Sequence, residues 1–516
     1  MAIQLIMLLV FFCIMVGVGF YCRRHATDVN SFVLGGRSVG PWLTAFAYGT
    51  TYFSAVIFVG YAGQFGWKFG ISATWIGIGN ALIGSLLAWV VLGRRTRLMS
   101  HHFNSATMPE FFGARFDSTA LKVFASLIVF IFLIPYTASL YNGLSRLFGM
   151  AFNIDYTVCI IIMAVLTGIY VIAGGYMATA INDFIQGIIM LAGIIAVIFA
   201  VLKTNGGFLS SLDALSKVTD ESVSTSPGAF ASFFGPDPLS LLGVILLTSL
   251  GTWGLPQMVQ KFYAIKSEKD ISKGAIISTI FAIIIAGGCY FMGGFGRLFT
   301  SSDAVTASGF DSIVPSMLSS FSPVLIGLIV ILVLSASMST LSSLVMASSS
   351  TLTLDFIKTL FKKDMKDKAQ LLLIRILIVF FILISVIIAV LQYKASANAN
   401  VKFIAQLMGV SWGALAGSFL APFFFSLYWK RVSKAAVFTN FTFASLLMIA
   451  NLLFRSSFPK LLTSPINCGA FAMLAGFIIV PVVTALTKAP DKKLINDAFS
   501  CYETQVIVTA KHDLGE

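Results

Sequence analysis

The chain has 516 residues, of which 58% are hydrophobic and only 11% charged, with a mean hydropathy of +0.92. That balance excludes a water-soluble globular protein and predicts an all-α membrane protein with many spans. The formal net charge of +13 is assigned to anchors at a lipid surface and not to nucleic-acid binding. The six cysteines show no CxxC or Cys/His spacing and predict neither a disulfide framework nor metal ligands.

Apolar stretches of roughly 20 residues, enough to cross about 30 Å of hydrocarbon, occur thirteen times, which predicts thirteen transmembrane helices. They lie near 2–22, 41–65, 69–93, 120–148, 154–173, 177–202, 238–257, 274–298, 323–350, 370–392, 401–428, 435–454 and 468–487. The first lacks a basic region ahead of it, and Arg23 and Arg24 follow it. It is therefore expected to remain as a helix with its N-terminus outside. This makes the loops at 23–40, 94–119, 258–273, 351–369 and 429–434, and the tail 488–516, cytoplasmic. With Lys122 and Arg375 at nearby helix ends, that side carries 25 of the 34 Lys and Arg residues, as the bias of basic loops toward the cytoplasm requires. The loops at 203–237 and 299–322 are then external, and both are expected to hold short helices.

Four interruptions of the apolar pattern carry chemistry. In the second span, Gly49-Thr-Thr-Tyr-Phe-Ser-Ala55 places glycine and hydroxyls inside hydrocarbon; in the seventh, Thr248-Ser-Leu-Gly-Thr-Trp-Gly-Leu-Pro-Gln257 adds two glycines and a proline. Broken spans at matching places in two halves point to a transporter's midplane site. The halves are spans 2–6 and 7–11, and an odd number of spans in each makes the repeat inverted. In the sixth span, Asp183 stands ahead of Gly187–Ile198, and no other acid is expected as deep. A carboxylate there costs about 2.5 to 3.5 kcal/mol at a helix centre, which marks it as functional. In the ninth, Ser335-Ala-Ser-Met-Ser-Thr-Leu-Ser-Ser343 follows a wholly apolar run. On a helix Ser339, Ser342 and Ser343 share one face, with Thr340 beside them, a surface suited to a small hard cation. No Walker sequence and no GxGxxG after a strand is present, so neither ATP nor another cofactor is expected.

The motifs Ser31-Phe-Val-Leu-Gly-Gly-Arg37, Gly174-Gly175 through Gln186, Met338-Ser-Thr-Leu-Ser-Ser343 and Phe425-Ser-Leu-Tyr-Trp-Lys-Arg431 occur in an order that resembles the sodium/solute symporter family, which includes sodium/proline, pantothenate, sugar and sialic acid transporters. The resemblance implies a LeuT-like core of five plus five helices, preceded by one helix and followed by two. It divides the chain into a leading helix and loop (1–40), a first repeat (41–202), an external loop (203–237), a second repeat (238–428), two additional helices (429–487) and a tail (488–516).

The resemblance also implies site residues. Sodium is expected between spans 2 and 9, on the carbonyls of Thr50, Phe53 and Ala336 and the hydroxyls of Ser339 and Thr340. Asp183, Ser339, Ser342 and Ser343 match a second sodium site found in some members. For the solute, Ser54 and Tyr136 match pocket residues of the proline transporters. Tyr52 stands where those transporters have an aspartate and Thr248 where they have a tryptophan, which argues for a reshaped pocket. Thr252, Trp253, Gln257 and Trp412 are further contributors, although the aromatic ones read equally well as core. The expected function is sodium-coupled symport of a small organic solute, an amino acid such as proline or another small carboxylate or sugar, across the plasma (inner) membrane. The alternative is a proton-coupled transporter of the same fold using Asp183.

Overall fold

The computed structural model describes residues 2–152, 155–319, 321–396 and 404–503. Lys402, which falls on the external side in the expected topology, and the tail beyond Glu503 lie outside the described residues. Apart from two isolated bridges, Val39 with Ile265 and Asp220 with Ser224, the regular structure among the described residues is helical. Among the described residues, ten helices are long and apolar enough to cross a membrane, or eleven if the bent pair Pro238–Gly254 and Pro256–Ala264 is one span. Two of the ten, Val56–His102 and Thr157–Thr204, run to 47 and 48 residues. Each contains a glycine in the left-handed region, Gly70 at φ 64° and Gly175 at φ 56°, where a side chain would be strained.

Pro323–Thr351 forms the centre. Every residue from Ile329 to Thr351 is buried, and the helix packs against Tyr156–Thr204, Thr119–Phe152 and Pro41–Tyr52. Ala2–Cys22 lies at the edge, with Leu5, Leu9, Ile14 and Phe20 exposed, as a helix bathed in lipid requires. With hydrocarbon on its outside, such a bundle gains nothing from hiding apolar surface and is held by close packing. Small residues permit it: a Cβ on Gly66 would lie 2.0 Å from the Gly293 carbonyl oxygen, and one on Gly293 would lie 2.1 Å from that of Ala62. Gly413 and Gly469 meet in the same way, with the Gly413 Cα 2.7 Å from a Cβ placed on Gly469.

The expected helix breaks are present. Pro41–Tyr52 ends where Phe53 turns to φ −92°, ψ 113°, and helical turns resume at Ala55. The Pro238–Leu250 helix tightens into a 3-10 turn, Gly251–Gly254, then leaves helical geometry at Leu255 (φ −83°, ψ 122°) before Pro256–Ala264 departs at 47°. Pro256 opens that second piece at its first turn, where a missing N–H costs nothing.

Short helices occupy the loops expected to be external, Phe208–Ser216, Ala229–Ala231, Ser302–Ser308 and Ile313–Leu318. A buried clamp ties this layer down. Arg297 donates from Nε to the Trp67 carbonyl (2.8 Å) and pairs through Nη1 with Asp220 (2.7 Å). Its guanidinium lies 4.1 Å from the Trp67 ring centre and 3.9 Å from that of Phe230.

Candidate functional site

The break in the first broken helix decides which backbone groups are free. In a continuous helix the carbonyls of Thr50 and Thr51 would accept from the amides of Ser54 and Ala55. Here the Ala55 amide donates instead to Ser337 Oγ at 3.1 Å. The released oxygens turn to the central helix, where the Thr340 hydroxyl lies 3.3 Å from the Thr50 carbonyl, 3.1 Å from that of Thr51 and 3.0 Å from that of Ala336. Ser339 donates to Thr50 Oγ1 at 2.8 Å, and Thr50 Oγ1 donates to the Phe46 carbonyl at 2.8 Å. Thr50, Thr340, Ser339 and Ala336 are thus brought together as a cluster of neutral oxygens, all buried. Neutral oxygens suit a monovalent hard cation, since they offer coordination without a permanent charge to desolvate.

Phe53 gives its amide to the Gly49 carbonyl at 3.2 Å, and its ring packs on Tyr52 and Phe281. Thr51, not singled out in the sequence, contributes a carbonyl to this cluster and also a hydroxyl, 2.9 Å from Ser343 Oγ. Ser337 likewise carries a role that its position in a run of serines did not reveal: it caps the resuming helix.

Asp183 sits in mid-helix, fully buried, and neither carboxylate oxygen has a hydrogen-bond partner among the described residues. Its near neighbour is Lys261, whose Nζ lies 3.9 Å from Oδ2. Lys261 also donates to Ser343 Oγ at 3.1 Å and lies 5.1 Å from the centre of the Tyr176 ring. Ser342 turns away and donates to the Ser339 carbonyl in its own helix at 2.8 Å. Lys261 was counted with the loop 258–273 as a cytoplasmic anchor. It is 2% exposed, on the second piece of the bent pair, and faces the bundle interior.

Asp183 is also not the only deep acid. Asp355 lies within Pro323–Phe361 and is equally buried. Its partners differ: Thr107 Oγ1 donates to Oδ2 at 2.6 Å, and Lys122 Nζ stands 3.4 Å from Oδ1 and 3.5 Å from Glu110. Asp355 is thus held by a hydroxyl and a lysine, as a structural acid in low dielectric should be.

The residues assigned to the solute pocket form two groups. Tyr52, Tyr136 and Trp412 pack together, with ring centres 5.5 Å (Tyr52 to Trp412) and 5.9 Å (Tyr136 to Trp412) apart. The Tyr52 hydroxyl donates to the Thr248 carbonyl at 2.9 Å, joining the two broken helices. Thr252 and Trp253 donate instead to the carbonyls of Gly84 (3.0 Å) and Ile83 (2.9 Å), and Thr248 Oγ1 donates to that of Val244 (2.8 Å). These three bonds spend the polar atoms on the protein itself. Ser54 lines a cavity of about 10 Å³ with Phe53, Met190, Leu332 and Ala336. Tyr136 Oη, Trp412 Nε1 and Gln257 Oε1 are buried without a well-formed hydrogen bond among the described residues, an arrangement that native proteins keep for a reason.

Known proteins supply the identity. Residues 32–441 match the model of the sodium:solute symporter family. The chain is 28% identical over 509 residues to the osmoregulated proline transporter OpuE of Bacillus subtilis, covering 95% of this chain and 96% of that one. It is 30% identical over 500 residues to a sodium/proline symporter of Staphylococcus aureus, covering 95% and 93%. Among solved structures, a Na+-coupled sialic acid symporter in a substrate-bound outward-open state superposes with a TM-score of 0.73 at 16% identity, covering 95% of this chain and 99% of that one, a likeness of fold. The chain therefore belongs to the sodium:solute symporter family.

Proposed function

We propose that this protein moves a small zwitterionic amino acid, with proline the first candidate, into the cell together with sodium. Its family and relatives are transporters and not enzymes, and sodium-coupled solute symport is the activity they share. The observation that carries the ion site is the convergence of the Thr50, Thr51 and Ala336 carbonyls on the Thr340 hydroxyl at a helix break. Sodium bound by Thr50, Ala336, Ser339 and Thr340, with Phe53 completing the set, fastens the first broken helix to the central one. Coupling then follows from the ion's preference for the state in which those helices meet. The membrane potential adds about 2.3 kcal/mol per charge per 100 mV.

Three orphaned atoms support the solute class. The Tyr136 hydroxyl and Trp412 indole N–H are donors suited to a carboxylate, and the Gln257 side-chain oxygen is an acceptor suited to an ammonium. Proline is also what the relatives' names specify, even though Tyr52 and Thr248 depart from the residues expected of proline transporters. Counting the bent pair as one span and splitting the 47- and 48-residue helices at Gly70 and Gly175, each long enough for two crossings at about 1.5 Å per residue, supports a reading of thirteen spans, to which we add an N-terminus outside and a place in the plasma membrane.

The test is uptake of labelled proline into proteoliposomes under an inward sodium gradient, with choline as control. Thr340→Ala and Ser339→Ala should each raise the sodium concentration for half-maximal uptake at least about tenfold, as expected for loss of one ion ligand. Variants that retain the wild-type sodium dependence would show that the ion sits elsewhere. A pH gradient in sodium-free buffer should drive no uptake; proton-driven uptake would support the Asp183 alternative, which the relatives do not favour.

A further inference from the structure

Asp183, Lys261, Thr51 and Ser343 form a second polar cluster beside the first. It contains one buried carboxylate, one buried ammonium and two hydroxyls. The acid lies on Tyr156–Thr204, the base on Pro256–Ala264 and Ser343 on Pro323–Thr351. The ammonium takes the contacts that a second coupling ion would need: it is 3.9 Å from the carboxylate and 3.1 Å from Ser343 Oγ. Ser343 in turn is 2.9 Å from Thr51 Oγ1. The lysine reaches this place because its helix restarts after the bend at Leu255, which aims Pro256–Ala264 inward with all nine of its residues buried.

We propose that the Lys261 ammonium is the resident cation of this second site, so that the protein carries that positive charge in its own chain and binds a single sodium ion. The argument is one of charge. A buried site with one carboxylate is neutralised by one cation, whether ammonium or sodium. Adding sodium about 4 Å from a retained ammonium brings two like charges together, a repulsion that at an effective dielectric constant of 20 lowers affinity on the order of a thousandfold. The assignment of Asp183, Ser339, Ser342 and Ser343 to a second sodium is thereby revised: Asp183 and Ser343 have Lys261 as partner, Ser339 turns to Thr50, and Ser342 bonds within its own helix. The proposal rests on sodium binding at the first site, and its test separates the two.

The experiment is equilibrium binding of ²²Na⁺ to the purified full-length protein in detergent, with choline holding ionic strength constant. The wild type should bind one ion per chain. Lys261→Gln should bind two, with a Hill coefficient rising from 1 toward 2, and Asp183→Asn added to it should restore one. Lys261→Gln that folds only at high sodium also supports the proposal, because the ion then replaces the lost ammonium. Two ions bound by the wild type, one bound by Lys261→Gln, or a Lys261→Gln protein that no sodium concentration rescues while the double variant folds, would each overturn it. A wild type that binds no sodium saturably would instead refute the first-site reading.

Discussion

Tyr136 illustrates how a single atom separates packing from recognition. Its ring is satisfied against Trp412, but its hydroxyl is buried without a well-formed hydrogen bond among the described residues, so the ring and the oxygen have different tasks. Tyr136→Phe keeps the packing and removes only the oxygen. In uptake assays it should raise KM for proline about tenfold, the worth of roughly one hydrogen bond to a charged group, and leave the sodium dependence unchanged. An unaltered KM would return Tyr136 to the core. Ser339 and Thr340 stand out in the sequence because hydroxyls in an apolar run are conspicuous, whereas the Thr51 carbonyl carries no such signal. Lys261 was not, since a lone lysine shortly before Lys266, Lys269 and Lys273 reads as the start of a basic loop. Ser337 was hidden among identical neighbours, because only the amide of Ala55, far away in sequence, assigns its role.

At the scale of elements, the breaks do more than mark a site. Glycine and hydroxyls signalled the first broken helix and two glycines and a proline the second, and the breaks formed where those clusters stand. The position of the second piece of the bent pair was not legible, because a 47° bend decides which residues turn inward and no local pattern encodes its direction. Gly175 shows the same principle within one continuous run. It sits at φ 56°, ψ −149°, a conformation nearly exclusive to glycine, and an added Cβ would lie 2.9 Å from the Phe32 carbonyl oxygen. Gly175→Ala should cost about 1–3 kcal/mol from backbone strain alone. The expected outcome is a fall of several degrees in the melting temperature of the detergent-purified protein. An unchanged melting temperature would mean that this turn is soft.

For the whole molecule, the layer of short helices at 203–237 and 299–322 and the helical bundle are joined through Arg297 and Asp220. Burial works to raise the Asp220 pKa, but hydrogen bonds from Ser222 and Arg297 overcome it and hold the carboxyl well below its ordinary value. A folded-state pKa below the unfolded one gives stability that is complete above the unfolded value, about 3.9, and is lost as pH falls beneath it. Asp220→Asn should therefore melt below the wild type at neutral pH, and the gap should narrow as the pH drops below about 4. A gap independent of pH would exclude the ion pair as its cause. The composition disclosed the membrane class, and loop charges supplied an orientation; the clamp was invisible because Asp220 and Phe230 come from one long loop, Arg297 from a short turn and Trp67 from a helix end, all distant in sequence.

The glycine contacts at Gly66 with Gly293 and Gly413 with Gly469 leave no room for sliding, whereas the Lys261–Asp183 contact spans a gap of 3.9 Å with an aliphatic stem on one side. The two kinds of junction differ in how closely they hold their helices, so the glycine contacts offer reference points against which a change at the Lys261 contact can be read. Spin labels placed on the lipid-facing sides of glycine-joined helices serve as fixed survey marks, and distances measured from them across the Lys261 junction report which helices travel during a transport cycle.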